Sequence, residues 1–81
     1  MPKRSKDQII AQILTTCREG ASKTKVVYQV NLNFKTINPH LYLLIEKGLL
    51  EVIQGKFILY KTTTKGERAL ECLREIEEIY S

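Results

Sequence analysis

Histidine is all but missing from this 81-residue chain: His40 is the only one. The two cysteines, Cys17 and Cys72, stand far apart and match neither a CxxC pair nor any zinc spacing. No metal centre is therefore expected, and both thiols read as small buried hydrophobes on apolar helical faces. Long apolar runs are missing too. The longest, Leu41–Ile45, falls far short of the roughly 18 residues of a membrane span. The basic start MPKRSK leads into the broken pattern IIAQIL and not into a signal-peptide core, so a soluble, cytoplasmic chain is expected. There is no phosphate-binding loop, and the acids gather near the C-terminus away from the histidine. Neither catalysis nor a cofactor is expected, and no small-molecule ligand is evident.

Acid is the most telling gap. From Gly20 to Ile45 there is none, while Lys23, Lys25 and Lys35 are present. Residues 1–65 carry eleven Lys/Arg against four Asp/Glu; residues 66–81 carry two against five. A net charge of +4 therefore hides a basic body with an acidic tail, a distribution suited to a polyanionic partner. The length allows one domain, and a chain this short buries only about 60–65% of its unfolded surface. Such a core needs help from cross-linking or oligomerisation, and the cysteines offer no cross-link.

Periodicity supplies the elements. Ser5 and Gln8 form a capping-box pair ahead of Ile9, Ile10, Ile13, Leu14 and Cys17, which predicts a helix of about 14 residues ended by Gly20. Ser22 caps a second helix through about Gln29, with Val26, Val27 and Val30 on its apolar face. Phe34, Ile37, Leu41, Leu44 and Gly48 are spaced as one face of a third helix, yet Pro39 lies inside it. The local rule prefers Asn38 as N-cap with Pro39 in the first turn. The longer-range rule prefers Asn33, because only then do Phe34 and Ile37 join the buried face, at about 1.5–3 kcal/mol each. A proline deep in a helix costs about 3 kcal/mol and less near its start. Burial wins, and one helix from about Phe34 to Lys47 is expected, with a distorted first turn. Leu50–Ile53 and Phe57–Lys61 then read as a β-hairpin, and Thr63 as the N-cap of a last helix reaching about Tyr80.

The order is helix, helix, turn, helix, two-stranded hairpin, helix. The chain is therefore expected to be mainly α with a small β-hairpin, a winged helix-turn-helix: a three-helix bundle plus a two-stranded wing. Residues 1–63 would form the body and 64–81 a C-terminal helix. The stretches LNFKTINPHLYLLIEKGLLEV and LYKTTTKGERAL also resemble archaeal winged-helix regulators of the ArnR-like type. They resemble as well the small coiled-coil-dimer winged-helix DNA-binding proteins of thermophilic archaea. The matching positions are Leu32, Asn33, Phe34, Leu41, Leu44, Lys47, Gly48, Leu49, Leu50, Tyr60, Thr63, Lys65 and Gly66. The resemblance implies a third helix that enters the major groove, a wing on the backbone or minor groove, and a last helix that dimerises. It departs at the wing, which is short and carries one basic residue at its tip.

The residues suit double-stranded DNA. Lys23 and Lys25 at the start of the second helix, and Lys56 at the wing tip, are expected phosphate contacts, with Lys3, Arg4 and Lys6 as a basic arm. On the third helix Lys35, Pro39, Tyr42, Leu43 and Glu46 are expected to face outward, flanked by Thr36, Asn38, His40 and Lys47. Its N-terminal part meets base edges in helix-turn-helix docking, so Lys35 and Thr36 lead, with Asn38 and His40 behind. Lys35 also suits a phosphate contact, and His40 a packing role. Pro39 either shapes the helix start or is incidental. In the last helix Leu73, Ile76, Ile79 and Tyr80 are the expected homodimer contacts, recurring at coiled-coil spacing. The expected protein is a dimeric, nucleoid-associated DNA binder, either a transcriptional regulator or a chromosome-associated protein. Its rival is a winged-helix module that binds a partner protein through residues such as Tyr42 and Leu43.

Overall fold

In the computed structural model residues 5–80 are described, apart from the side chains of Glu77 and Tyr80. The basic-arm residues Lys3 and Arg4 and the Tyr80 dimer contact lie outside what is described. The elements in chain order are α1 (Lys6–Thr16), α2 (Lys23–Val30), α3 (Phe34–Glu46), β1 (Leu50–Gln54), β2 (Ile58–Thr62) and α4 (Thr64–Tyr80). This is the mainly helical winged arrangement, with four helices and one antiparallel hairpin.

The capping box at the head of α1 is present: Gln8 N–H donates to Ser5 Oγ at 3.1 Å, and Ser5 N–H to Gln8 Oε1 at 2.8 Å. The helix is 11 residues long, shorter than expected, with Cys17 as C-cap. At its end the carbonyls of Leu14 and Cys17 accept from Thr62 of β2, while the Thr15 and Thr16 hydroxyls donate back to the carbonyls of Ala11 and Gln12, both at 2.8 Å. Gly20, at φ +96°, then reverses the chain.

Ser22 Oγ accepts from Lys25 N–H and starts α2, which ends at Asn31 in the left-handed conformation. Asn33 Oδ1 accepts from Thr36 N–H at 2.7 Å and starts α3. The helix begins at the earlier of the two candidate caps and runs without interruption through Pro39 to Glu46. Ile37, Leu41 and Leu44 are fully buried; the last two would be with either cap, so burial of Ile37 at about 1.5–3 kcal/mol and an N-cap worth about 1 offset the proline's cost of about 3. Phe34 departs from expectation. As the first residue of α3 it remains 49% exposed, so the buried face opens at Ile37.

The hairpin pairs Leu50 with Thr62 and Gln54 with Ile58, one residue later in the chain than expected on its second strand. Phe57 consequently sits in the turn, exposed. A contact the sequence did not announce adds a third edge. Ala21 and Tyr60 exchange backbone hydrogen bonds of 2.9 and 2.8 Å, so the segment before α2 pairs with β2. Thr62, buried, donates its hydroxyl to the Leu14 carbonyl at 2.6 Å and its N–H to that of Cys17 at 2.9 Å. The core of Ile13, Leu14, Val26, Val30, Leu50 and Leu70 is thereby closed around α3. Cys17 belongs to it, whereas Cys72 is exposed, contrary to expectation, because Leu70 and Leu73 take the inner side of α4.

The entry to α4 is a tight junction. Thr63 Oγ accepts from Gly66 N–H at 3.0 Å and donates to the Gly48 carbonyl at 2.6 Å. Gly66 is there because a Cβ would collide with the Leu49 carbonyl and the Thr62 methyl. Gly66→Ala should lower stability by about 1–3 kcal/mol despite alanine's better helix propensity. Thermal or urea unfolding monitored by circular dichroism checks this, and an unchanged midpoint would show that the junction yields.

Candidate nucleic-acid interface

The rotation of α3 follows from what it buries. With Ile37, Leu41 and Leu44 turned inward, the opposite face is a stripe of Lys35, Pro39, Tyr42 and Glu46, residues separated by four, three and four positions. All four are exposed, Tyr42 at 69%. Thr36, beside Lys35 in the first turn, is exposed as well. These residues stand on the helix that the Asn33 cap begins, so their direction is set by backbone and core and not by their own contacts.

The flanks are less open. Asn38 is half buried, and its Oδ1 is sealed from solvent without a hydrogen-bond partner. A bidentate pairing with adenine needs that oxygen as well as the amide nitrogen, so Asn38 does not present a base-reading edge in this arrangement. His40 is half buried, and Leu43, expected to face outward, is half buried too. The stripe is thus narrower than the sequence suggests.

Lysines stand on neighbouring elements. Lys25 is exposed and Lys23 half buried, both in the first turn of α2. The Ser22 side chain takes one of the unpaired N–H groups there, leaving those of Lys23 and Thr24 without acceptors within the helix. Lys56 is exposed at the wing tip, its Nζ 6.0 Å from the centre of the Phe57 ring, at the outer limit of a cation–π contact. Val52, Ile53, Phe57 and Ile58 are exposed apolar residues of the wing.

Two cations absent from the expected set join Lys25. Arg18 and Lys61 line the same cleft, of about 710 Å³, between the end of α1 and the start of α4. The Ala21–Tyr60 bridge brings Lys61 there, and a pairing of one residue with one residue leaves no periodic signal in sequence. Arg18 is held by Glu67 at 3.1 Å, which offsets its charge. Lys25 is also felt inside the core. Burial pushes the Cys17 thiol up to about 11, and the lysine charge only partly opposes it, so Cys17 stays a neutral packing group.

On α4 the two sides differ. Leu70 is buried and Leu73 half buried against the core, while Ile76 and Ile79 are 50% and 75% exposed and follow Cys72 along the outer side. Among the described residues no group of three or more His, Cys, Asp or Glu is placed to hold a metal, and no helix is long and apolar enough to cross a membrane.

Known proteins share this fold. A family profile described as winged helix-turn-helix matches residues 3–81. Two uncharacterized proteins of Methanocaldococcus jannaschii are similar in sequence. MJ0287 is 32% identical over 95% of this chain and 77% of its own length. MJ0290 is 33% identical over 91% of this chain, which spans only 34% of that longer protein. Among solved structures, Sso10a-2, a DNA-binding protein from Sulfolobus solfataricus, superposes with a TM-score of 0.87 at 25% identity. That match covers 95% of this chain and 82% of the other.

Proposed function

The chain belongs to the winged helix-turn-helix family, and from that membership we propose that it binds double-stranded DNA with α3 in the major groove. The observation that carries the reading is that Lys35, Pro39 and Tyr42 of the outward stripe lie in an acid-free stretch, Gly20–Ile45, in which Lys25 of α2 and Lys35 are exposed; Glu46, at the far end of α3, lies beyond it. Phosphates would be met by Lys23, Lys25 and Lys56, and base edges by Lys35 and Thr36. His40 and Asn38 would border the contact. The similarity to a DNA-binding protein of the same fold supports the same conclusion.

The functional unit in this reading is a homodimer. The body, residues 1–63, would contact DNA, and the helix 64–81 would pair with its copy. Ile76 and Ile79 stand exposed on the outer side of a 17-residue helix, and association hides such residues from water. Leu73, already half buried against its own body, would border the pairing face, with Tyr80 at its end. Glutamates on this helix keep its charge opposite to that of the body, away from phosphate. A dimer of this kind, lacking arginine on α3, suits a nucleoid-associated protein or a regulator of modest selectivity.

A second reading has its own observation. Tyr28, at 80%, is exposed along with Tyr42, and exposed tyrosines suit a protein partner as well as a duplex. Salt separates the two readings. Binding of a mixed-sequence duplex should weaken steeply with salt. Lys25→Ala/Lys35→Ala should weaken it for every sequence and reduce the log–log slope by about 0.9 for each phosphate no longer neutralised. An unchanged slope in an anisotropy titration would remove this face from the interface. Ile76→Asp should convert the dimer to monomer in sedimentation velocity; a dimer that survives it uses another surface.

A further inference from the structure

Pro39 breaks the strongest local rule in the helix and gains nothing from the core in return. It is the sixth residue of α3, past the first turn where an absent N–H is free of cost, so the Lys35 carbonyl loses its regular donor. Its ring is exposed, on the opposite side from Ile37, Leu41 and Leu44, so no buried packing offsets the loss. The N-cap at Asn33 and the turn before it need no proline either, since Asn33 Oδ1 already begins the helix. A residue that violates local preference without a structural return marks a position chosen for what it touches.

What it can touch is narrow. Pro39 stands between Lys35 and Tyr42 on the outward stripe, one turn from each. Its ring has neither donor nor acceptor, so it reads no hydrogen-bonding edge. The apolar feature that the major groove offers is the 5-methyl group of thymine. The exposed Tyr42 ring extends the apolar strip by a further turn, and Glu46 closes it with a charge that phosphates repel. The helix can therefore enter a groove over its first two to three turns, and Pro39 is at the middle of that length. The nearest polar competitor for base edges, Asn38, has its oxygen sealed inside.

Resting on the DNA-binding reading above, we propose that Pro39 is a specificity-determining residue whose ring packs against thymine 5-methyl groups in the major groove. The chain then prefers duplexes that present thymine methyls along one groove face, by shape and apolar contact and not by a hydrogen-bond code. Burying one methyl group corresponds to about a fourfold change in Kd for each protomer engaged.

The experiment uses two duplexes of identical mixed sequence, one with every thymine replaced by uracil, so that only the methyl groups differ. Fluorescence anisotropy with the full chain should show the uracil duplex bound more weakly, by about fourfold per protomer. Pro39→Ser restores a backbone N–H and should retain the fold by circular dichroism. It should bring the two affinities together, while Lys35→Ala should weaken both and keep their ratio. Equal binding of the two duplexes by the unaltered chain overturns the proposal and leaves DNA binding intact. A ratio that persists in Pro39→Ser removes the role from Pro39. Failure to bind either duplex overturns the DNA-binding reading itself, and this inference with it.

Discussion

Burial of Ile37, Leu41 and Leu44 sets the rotation of α3, and every surface described above depends on that rotation. Burial of Ile37 at about 1.5–3 kcal/mol, together with the Asn33 cap at about 1, offsets the cost of about 3 kcal/mol for an internal proline. A helix beginning at Asn38 would shed Ile37 and the Asn33 cap together. Once the inner face is fixed, Lys35, Pro39, Tyr42 and Glu46 have no choice but to face outward. The surface is thus a consequence of the core and not an independent feature.

A chain of short hydrogen bonds orients α4 in the same way. Leu49 N–H bonds the Leu44 carbonyl at 2.8 Å, and Thr63 N–H bonds the Leu49 carbonyl at 3.1 Å. Lys65 Nζ reaches the Lys47 carbonyl at 2.8 Å, so the end of α3 is capped by the beginning of α4. Gly48, at φ +76°, allows the chain to turn between them. The direction in which Ile76 and Ile79 project is therefore tied to the direction of α3. Should two α4 helices pair, this junction carries the geometry of the pair to each α3.

Much of this was legible in the residues. Ser5 with Gln8, Ser22, Asn33 and Thr63 are short-range signals whose partners lie three positions away, and each marks the helix start observed. The alternation of Ile37, Leu41 and Leu44 carried α3 through its proline. What could not be read depends on segments distant in sequence. The Ala21–Tyr60 bridge, the Thr62–Leu14 bond and the convergence of Arg18, Lys25 and Lys61 each join segments roughly 35 to 50 residues apart. Phe34 and Cys72 misled because helical spacing shows which residues share a face but not how far the covering neighbour extends. At Asn38 a related limit applies: angular position on a helix does not reveal which side-chain atom is sealed.

Charge also divides the chain, with a basic stretch over residues 1–65 and an acidic one over 66–81, as the proposed phosphate contact of the body requires. In the proposed complex the outward face of α3 meets DNA. Backbone amide chemical shifts, followed by NMR as duplex DNA is titrated into the labelled protein, separate that face from every other. The largest changes are expected from Lys35 to Tyr42 and around Lys25, with Ile76 and Ile79 unmoved by the duplex. Changes concentrated on α4 or on the outer face of α1, with α3 silent, would place the duplex elsewhere.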